Sequence, residues 1–168
     1  YEISQTRPYG TLYVKNCGAY VYVPNVSAIN RLSTGASDTF NITASDGAGG
    51  VGINTFTVNI SAVNDAPVLA TPTAINLSDT SATDSFTNQT GTLSATDAEG
   101  TPLTYALRGA TGEDNTIDSV IYSHKLIGKY GTLYLKAGDG AYVYAPDAPK
   151  INALTADAKE SFSLSASD

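Results

Sequence analysis

The 168-residue sequence has no Met and no Trp, one Cys, one His, and 9 Lys and Arg against 16 Asp and Glu. Its formal net charge of −7 argues against a nucleic-acid binder and against an electrostatic membrane anchor, which both need clustered basic side chains. No apolar run approaches the roughly 20 residues that span a bilayer, so we expect a soluble protein without direct membrane insertion. Because the chain lacks Met and begins with Tyr1, we expect an interior piece of a longer exported protein.

The scarcity of Cys and His also limits catalytic chemistry. Cys17 has no second cysteine for a disulfide or a zinc cage, and it lies in a predicted hairpin turn. His124 is the one imidazole on which Ser/His/Asp or Cys/His catalysis would depend, and its polar neighbours predict a solvent-exposed loop or strand. Paired carboxylates could serve as acid and base, but no pattern places two across a cleft. We therefore expect that the protein is not an enzyme.

An internal repeat is the strongest positive signal. The segment Tyr9-Gly10-Thr11-Leu12-Tyr13-Val14-Lys15 returns as Tyr130-Gly131-Thr132-Leu133-Tyr134-Leu135-Lys136. After a one-residue insertion, Gly18-Ala19-Tyr20-Val21-Tyr22-Val23-Pro24 returns as Gly140-Ala141-Tyr142-Val143-Tyr144-Ala145-Pro146. Ile29-Asn30, Phe40 and Ala44-Ser45-Asp46 also recur, as Ile151-Asn152, Phe162 and Ala166-Ser167-Asp168. A period this long indicates that each unit is a whole domain in an array.

The repeat divides the chain into two unequal parts. Residues 1–62 match the C-terminal half of one unit, residues 63–67 form a linker, and residues 68–168 match a second unit without its last strand. The connector Ala62-Val63-Asn64-Asp65-Ala66-Pro67 is short, and its proline stiffens the joint.

Hydrophobic periodicity within each unit is that of β-strands. Strands are predicted at 11–14, 19–23, 39–43, 54–60, 92–94 and 103–107, separated by Gly, Asn, Asp and Pro. Helical spacing is limited to single turns at 27–32 and 149–154. The pattern predicts an all-β fold of tandem antiparallel β-sandwich repeats. The alternating tyrosines 20/22 and 142/144 could form a sugar platform, although half-buried tyrosines are the commoner outcome.

Acidic residues without basic partners are concentrated around the connector. No Lys or Arg occurs from Leu32 to Leu107, a segment that contains Asp38, Asp46, Asp65, Asp79, Asp84, Asp97 and Glu99, whereas acids and bases balance elsewhere. Such carboxylates repel one another unless they are well separated or share a cation. Calcium is the candidate cation, since it takes six to eight oxygen ligands in flexible geometry. The alternative is that each Asp satisfies backbone groups in its own turn.

Two groups of residues resemble known families. The run Asn41-Ile42-Thr43-Ala44-Ser45-Asp46-Gly47, with Thr55–Ile60 and Val63-Asn64-Asp65-Ala66-Pro67, resembles the end of a cadherin-like domain and its calcium-binding linker. The Tyr-Gly-Thr-Leu-Tyr hairpins are similar to the VCBS repeat of large bacterial surface (RTX-type) adhesins. The resemblance implies a cadherin-like or immunoglobulin-like sandwich and a calcium (Ca2+) ligand set of Asp46, Asn64, Asp65, Asp97 and Glu99. Asp84 is a further candidate, and Ala62 departs from the acidic residue of the cadherin pattern.

These observations favour a structural function. We expect a calcium-stiffened spacer repeat of a bacterial extracellular adhesin, located at the cell surface and supporting cell adhesion. Its partners would be neighbouring repeats of the same chain, with cell-surface or glycan ligands bound through other domains. The alternative is a carbohydrate- or host-surface-binding β-sandwich module that uses the tyrosine stripes and the candidate loop Arg108–Thr116.

Overall fold

The computed structural model describes residues 2–112 and 114–168. The chain forms two compact units. Unit 1 contains the residues through Asp65 together with Ala98–Gly100, and unit 2 contains Ala66–Asp97 and Thr101–Asp168. All strand pairs in the described residues are antiparallel and both helices are single turns, so the predicted all-β class is confirmed.

The described part of unit 1 contains five strands. Strands β1 (Ile3–Arg7), β2 (Gly10–Val14) and β3 (Tyr20–Pro24) form a sheet in that order, the helical turn α1 (Val26–Ile29) follows, and β4 (Ala36–Ser45) and β5 (Val51–Ile60) form a long hairpin. Alternation of apolar and polar residues decides which side chains point inward, because successive strand residues face opposite sides.

The core of unit 1 lies between the three-stranded sheet and the β4–β5 hairpin. Leu12 and Phe40 are fully buried there. The ring of Phe40 packs edge-on against Tyr22 at a centroid distance of 6.0 Å and lies 6.3 Å from Phe56. The Arg7 Nε donates a hydrogen bond to the Thr39 carbonyl at 2.9 Å. The two layers are therefore joined by aromatic packing inside and by polar contacts at the margin.

Unit 2 has more strands than unit 1, and most of them are shorter. Its elements are β6 (Val68–Leu69), β7 (Gln89–Thr92), β8 (Ala95–Thr96), β9 (Thr104–Leu107), β10 (Asn115–Ile117), β11 (Val120–Tyr122), β12 (His124–Ile127), β13 (Gly131–Leu135), β14 (Ala141–Pro146), α2 (Ala148–Ile151) and β15 (Leu164–Ser167). The main sheet has the order β12-β13-β14-β7, and β15 pairs with β9, β6 with β8 and β10 with β11.

The core of unit 2 is made largely of leucines. Its buried members are Leu93, Leu107, Leu133, Leu135 and Tyr144. Leu77 and Phe162 pack against them from segments that contain no strand at those positions. These extended segments cover the inner face of the main sheet and line a cavity of about 650 Å³ together with Tyr144 and Ile151.

Most predicted elements are present, with shifted boundaries. The predicted strand at 92–94 instead spans Gln89–Thr92, because its ladder with β14 begins at the Gln89–Tyr144 pair. The helical turns begin one residue earlier than predicted. Asn25 and Asp147 cap them, accepting hydrogen bonds from the backbone N–H groups of Ala28 and Lys150.

Candidate functional site

Asp46 ends strand β4 and closes the turn to β5. Its Oδ1 accepts hydrogen bonds from the backbone N–H groups of Ala48 at 2.8 Å and Gly50 at 2.9 Å. These bonds stabilise the ionised form and lower the pKa of Asp46. The exposed carboxylate is thus an anion at neutral pH and also a turn cap, the alternative that its Asp-Gly context had indicated.

Asn64 and Asp65 lie in the exposed connector after β5. The Asn64 Nδ2 donates to the Asp65 carbonyl at 3.4 Å. Both side chains are on the surface of unit 1, where their oxygens are accessible to a solvent cation.

Asp97 and Glu99 occupy the turn that follows β8. Asp97 Oδ1 accepts hydrogen bonds from the backbone N–H and the hydroxyl of Thr101, both at 3.1 Å. The two carboxylate oxygens of Glu99 are buried and have no hydrogen-bond partner among the described residues. A buried carboxylate without donors carries an uncompensated desolvation cost, which a bound cation would offset. Glu99 therefore fits the chemistry of a calcium ligand.

The five predicted ligands are distributed over both units. Asp46, Asn64, Asp65 and Glu99 belong to unit 1, and Asp97 belongs to unit 2. Within residues 2–112 and 114–168, no three His, Cys, Asp or Glu side chains form a group that could hold a metal ion. The calcium site remains a prediction.

Two acidic residues between Leu32 and Leu107, the segment without Lys or Arg, have structural surroundings unrelated to a metal site. Asp84 Oδ2 accepts a hydrogen bond from the Thr80 backbone N–H at 2.6 Å, which lowers the pKa of Asp84. Asp38 is 1% exposed and lies inside unit 1. The interpretation that the whole excess of negative charge surrounds one joint is therefore wrong for Asp38, because this carboxylate is enclosed by the fold.

Asp38 forms a buried pair with a repeat tyrosine. The Tyr22 hydroxyl donates to Asp38 Oδ2 at 2.7 Å, and the Tyr9 backbone N–H donates to Oδ1 at 3.3 Å. Burial, followed by the bond to this carboxylate, raises the pKa of Tyr22 to about 12. The pair ties the β1–β2 turn and β3 to the start of β4.

Unit 2 contains the same pair at the matching positions. The Tyr144 hydroxyl donates to Glu160, whose other oxygen accepts from the backbone N–H groups of Lys129 at 2.6 Å and Tyr130 at 3.1 Å. Burial and this bond raise the pKa of Tyr144. Phe162 packs edge-on against Tyr144 at 6.1 Å, as Phe40 does against Tyr22. The repeat therefore preserves a tyrosine, a carboxylate and a phenylalanine in one contact set.

Sequence reasoning missed the carboxylates of these pairs. The available signal was an acidic residue two positions before the matched phenylalanine in both copies, Asp38-Thr39-Phe40 and Glu160-Ser161-Phe162. The glycine after the first repeat tyrosine has a related function. A Cβ at Gly10 would overlap the Tyr22 ring, and one at Gly131 would overlap the Tyr144 ring.

The remaining candidates are Cys17, His124 and the loop Arg108–Thr116, and they differ in exposure and contacts. Cys17 is exposed in the β2–β3 turn, as predicted, whereas His124 is half-buried on strand β12 and lies beside the Ser123 hydroxyl at 3.2 Å. In the loop candidate, Thr111 bridges to Lys125 and Thr116 belongs to β10, while Glu113 lies outside the described residues.

Comparisons with protein-family models, curated proteins and solved structures found no match to this chain. In the described part of the chain, neither helix has the length or the apolar character needed to cross a membrane.

Proposed function

We propose that this chain is a structural spacer of tandem cadherin-like β-sandwich repeats from a large bacterial extracellular adhesin, stiffened by calcium. The observation that carries the proposal is the duplicated contact set of Tyr22, Asp38 and Phe40 in unit 1 and Tyr144, Glu160 and Phe162 in unit 2. Repetition of internal contacts is typical of arrays whose units supply length.

Calcium would be held by Asp46, Asn64, Asp65, Asp97 and Glu99. The buried, unpartnered oxygens of Glu99 support this assignment, as does the lowered pKa of Asp46, which keeps that side chain anionic. When bound, the cation supplies positive charge that offsets carboxylate repulsion. The side chains of the connector and its neighbouring turns then restrain the backbone around Asn64–Pro67, so that successive units keep one orientation.

The tyrosine contacts favour the spacer over the carbohydrate-binding alternative. Tyr22 and Tyr144 are engaged by carboxylates, and the ring of Tyr142 lies against Gly91. Tyr20 is 59% exposed, but its ring packs edge-on against Phe56 at 5.0 Å. A sugar platform needs open aromatic faces, whereas each of these tyrosines has an internal packing contact or hydrogen-bond partner.

Thermal unfolding of the full chain with calcium, with magnesium and with a chelator tests the calcium assignment. Binding to the folded state alone stabilises it by roughly 2.7 kcal/mol at a hundredfold excess over Kd. We expect Glu99→Gln to abolish the calcium-dependent rise in Tm. The same variant should raise Tm in chelator, because a neutral amide is less costly to bury than an unpaired carboxylate.

The matched control is Asp157→Asn, an exposed acidic residue outside the predicted set, which should respond to calcium like the parent chain. Superimposable melts with and without calcium would refute the calcium assignment. Stiffening is measured by pulsed electron spin resonance between labels on Cys17 and on Thr155→Cys. We expect calcium to narrow the distance distribution, and a broad distribution in both conditions would refute the rigid spacer.

A further inference from the structure

Strand β3 of unit 1 has an open edge where its repeat copy has a neighbour. β3 is the outer strand of the order β1-β2-β3, whereas its counterpart β14 lies between β13 and β7. The matched side chains also differ in exposure, since Val21 is 37% exposed and Val143 is 3% exposed. The fold of the repeat thus accommodates a strand on this edge, and among the residues that the structure describes no strand lies there in unit 1.

The hydrogen-bonding groups of the open edge follow from the β2–β3 ladder. Bonds from Lys15 N–H to the Ala19 carbonyl at 2.8 Å and from Asn25 N–H to the Tyr9 carbonyl at 2.7 Å fix which β3 residues face β2. Because an antiparallel strand alternates its bonding direction, the backbone groups of Tyr20 and Tyr22 point away from β2. They are the equivalents of Tyr142 and Tyr144, which pair with Gly91 and Gln89 of β7.

A second contact holds the strand in unit 2. The Asn152 side chain accepts from the Asp84 backbone N–H at 2.9 Å and donates to the Asp84 carbonyl at 2.9 Å. The matched side chain in unit 1, Asn30, is exposed and has no hydrogen-bond partner among the described residues. Unit 1 therefore presents both parts of this binding arrangement without an occupant.

We propose that the β3 edge and Asn30 form a receptor for an extended segment like Asp84–Thr92, which adds to unit 1 as an antiparallel strand. The register of unit 2 places the glycine of that segment opposite Tyr20 and its glutamine opposite Tyr22. The glycine is required because a Cβ at Gly91 would overlap the ring of Tyr142. Main-chain bonds supply the affinity and the glycine supplies selectivity, as in other strand additions. This receptor does not depend on calcium or on the spacer function.

Cys17 offers a way to test the receptor in the full chain. In unit 2, Leu93 N–H donates to the carbonyl of Gly140, the residue that matches Gly18. A synthetic peptide of residues 84–94 with an added C-terminal cysteine can therefore be joined by a disulfide to Cys17. The tether raises the local peptide concentration to the millimolar range. Amide hydrogen exchange by NMR then reports each backbone N–H of the edge separately.

We expect the amide hydrogens of Tyr20 and Tyr22 to exchange roughly tenfold more slowly when the tethered peptide occupies the edge about ten times as often as the edge is open. Val21 faces β2 and should change much less. A tethered peptide with valine in place of Gly91 should give little protection, and Asn30→Ala should reduce the protection given by the parent peptide without lowering Tm.

Unchanged exchange at Tyr20 and Tyr22 would overturn the proposal, as would equal protection by a tethered peptide of scrambled sequence. Protection that appears without peptide and rises with protein concentration would identify a second copy as the occupant, which also overturns it.

Discussion

Tyr22 and Tyr144 show how burial and a neighbouring carboxylate together control the ionisation of a tyrosine inside this fold. Each hydroxyl donates to a carboxylate that also accepts a hydrogen bond from a backbone N–H, so deprotonation would place two negative charges in contact. Burial and this contact raise the pKa of both hydroxyls. The pairs therefore link the stability of each unit to alkaline pH.

For Tyr22 the expected pH dependence has a definite sign. A tyrosine whose pKa is higher in the folded state binds its proton more tightly there, so stability falls as pH rises. The contribution is complete below the ordinary value of 10.0 and is lost as pH passes through about 12. The free energy of unfolding, measured by urea titration across this interval, should decline less steeply in Tyr22→Phe than in the parent chain. Parallel declines in the two proteins would contradict the assignment.

At the scale of the strand pair, two glycines differ in how closely other atoms surround them. Gly10 lies in β2 beside the Tyr22 ring, whereas a Cβ at Gly52 in β5 would meet no heavy atom within 4 Å. We expect Gly10→Ala to destabilise unit 1 by about 1–3 kcal/mol, because the ring must leave its position against Asp38 and Phe40. Gly52→Ala is the matched control and should be neutral or slightly stabilising, since alanine restricts the unfolded chain.

Urea unfolding of both variants, with intrinsic tyrosine fluorescence and far-UV circular dichroism as probes, measures the difference in stability. Equal stability of Gly10→Ala and Gly52→Ala would show that the Tyr22 ring does not require the space left by the absent side chain of Gly10.

The elements show which features sequence patterns can predict. Alternation and the repeat indicate β2, β3, β4, β5 and β9, because these strands bury one face and carry their own hydrophobic signal. Strand β7 has the polar sequence Gln-Thr-Gly-Thr and joins the sheet because Gly91 fits beneath Tyr142. Its pairing depends on a distant residue, so local periodicity could not specify its bounds.

The candidate site was only partly predictable for a related reason. The absence of basic residues from 32 to 107 shows that the acidic side chains of this segment have no basic neighbours in the sequence, but their surroundings depend on tertiary contacts. The Asp-Gly context of Asp46 indicates its role as a turn cap, but no local pattern shows that Asp38 is enclosed beside Tyr22. Likewise, no feature of the local sequence indicates that the carboxylate oxygens of Glu99 are buried.

At the scale of the whole molecule, the two units have separate cores and separate tyrosine–carboxylate pairs. Asp38 belongs to the core of unit 1, and Glu160 holds the β12–β13 turn and Tyr144 of unit 2. Removing either carboxylate leaves a tyrosine hydroxyl and backbone N–H groups without their acceptor, which costs about 1–3 kcal/mol for a buried group. Each loss should remain confined to the unit in which it occurs, because the described residues form two compact units that each have their own core.

Hydrogen exchange with mass spectrometry on the full chain measures this confinement. Asp38→Ala should accelerate exchange in residues 2–65 and leave β13 and β14 unchanged, whereas Glu160→Ala should do the reverse. Asp157→Ala, an exposed acidic residue near Glu160 in the chain, is the control and should alter neither unit. If either carboxylate variant accelerated exchange equally in both units, the chain would unfold as one cooperative body. Independent responses are also what the proposed spacer function requires, since unfolding of one unit would then leave its neighbours intact.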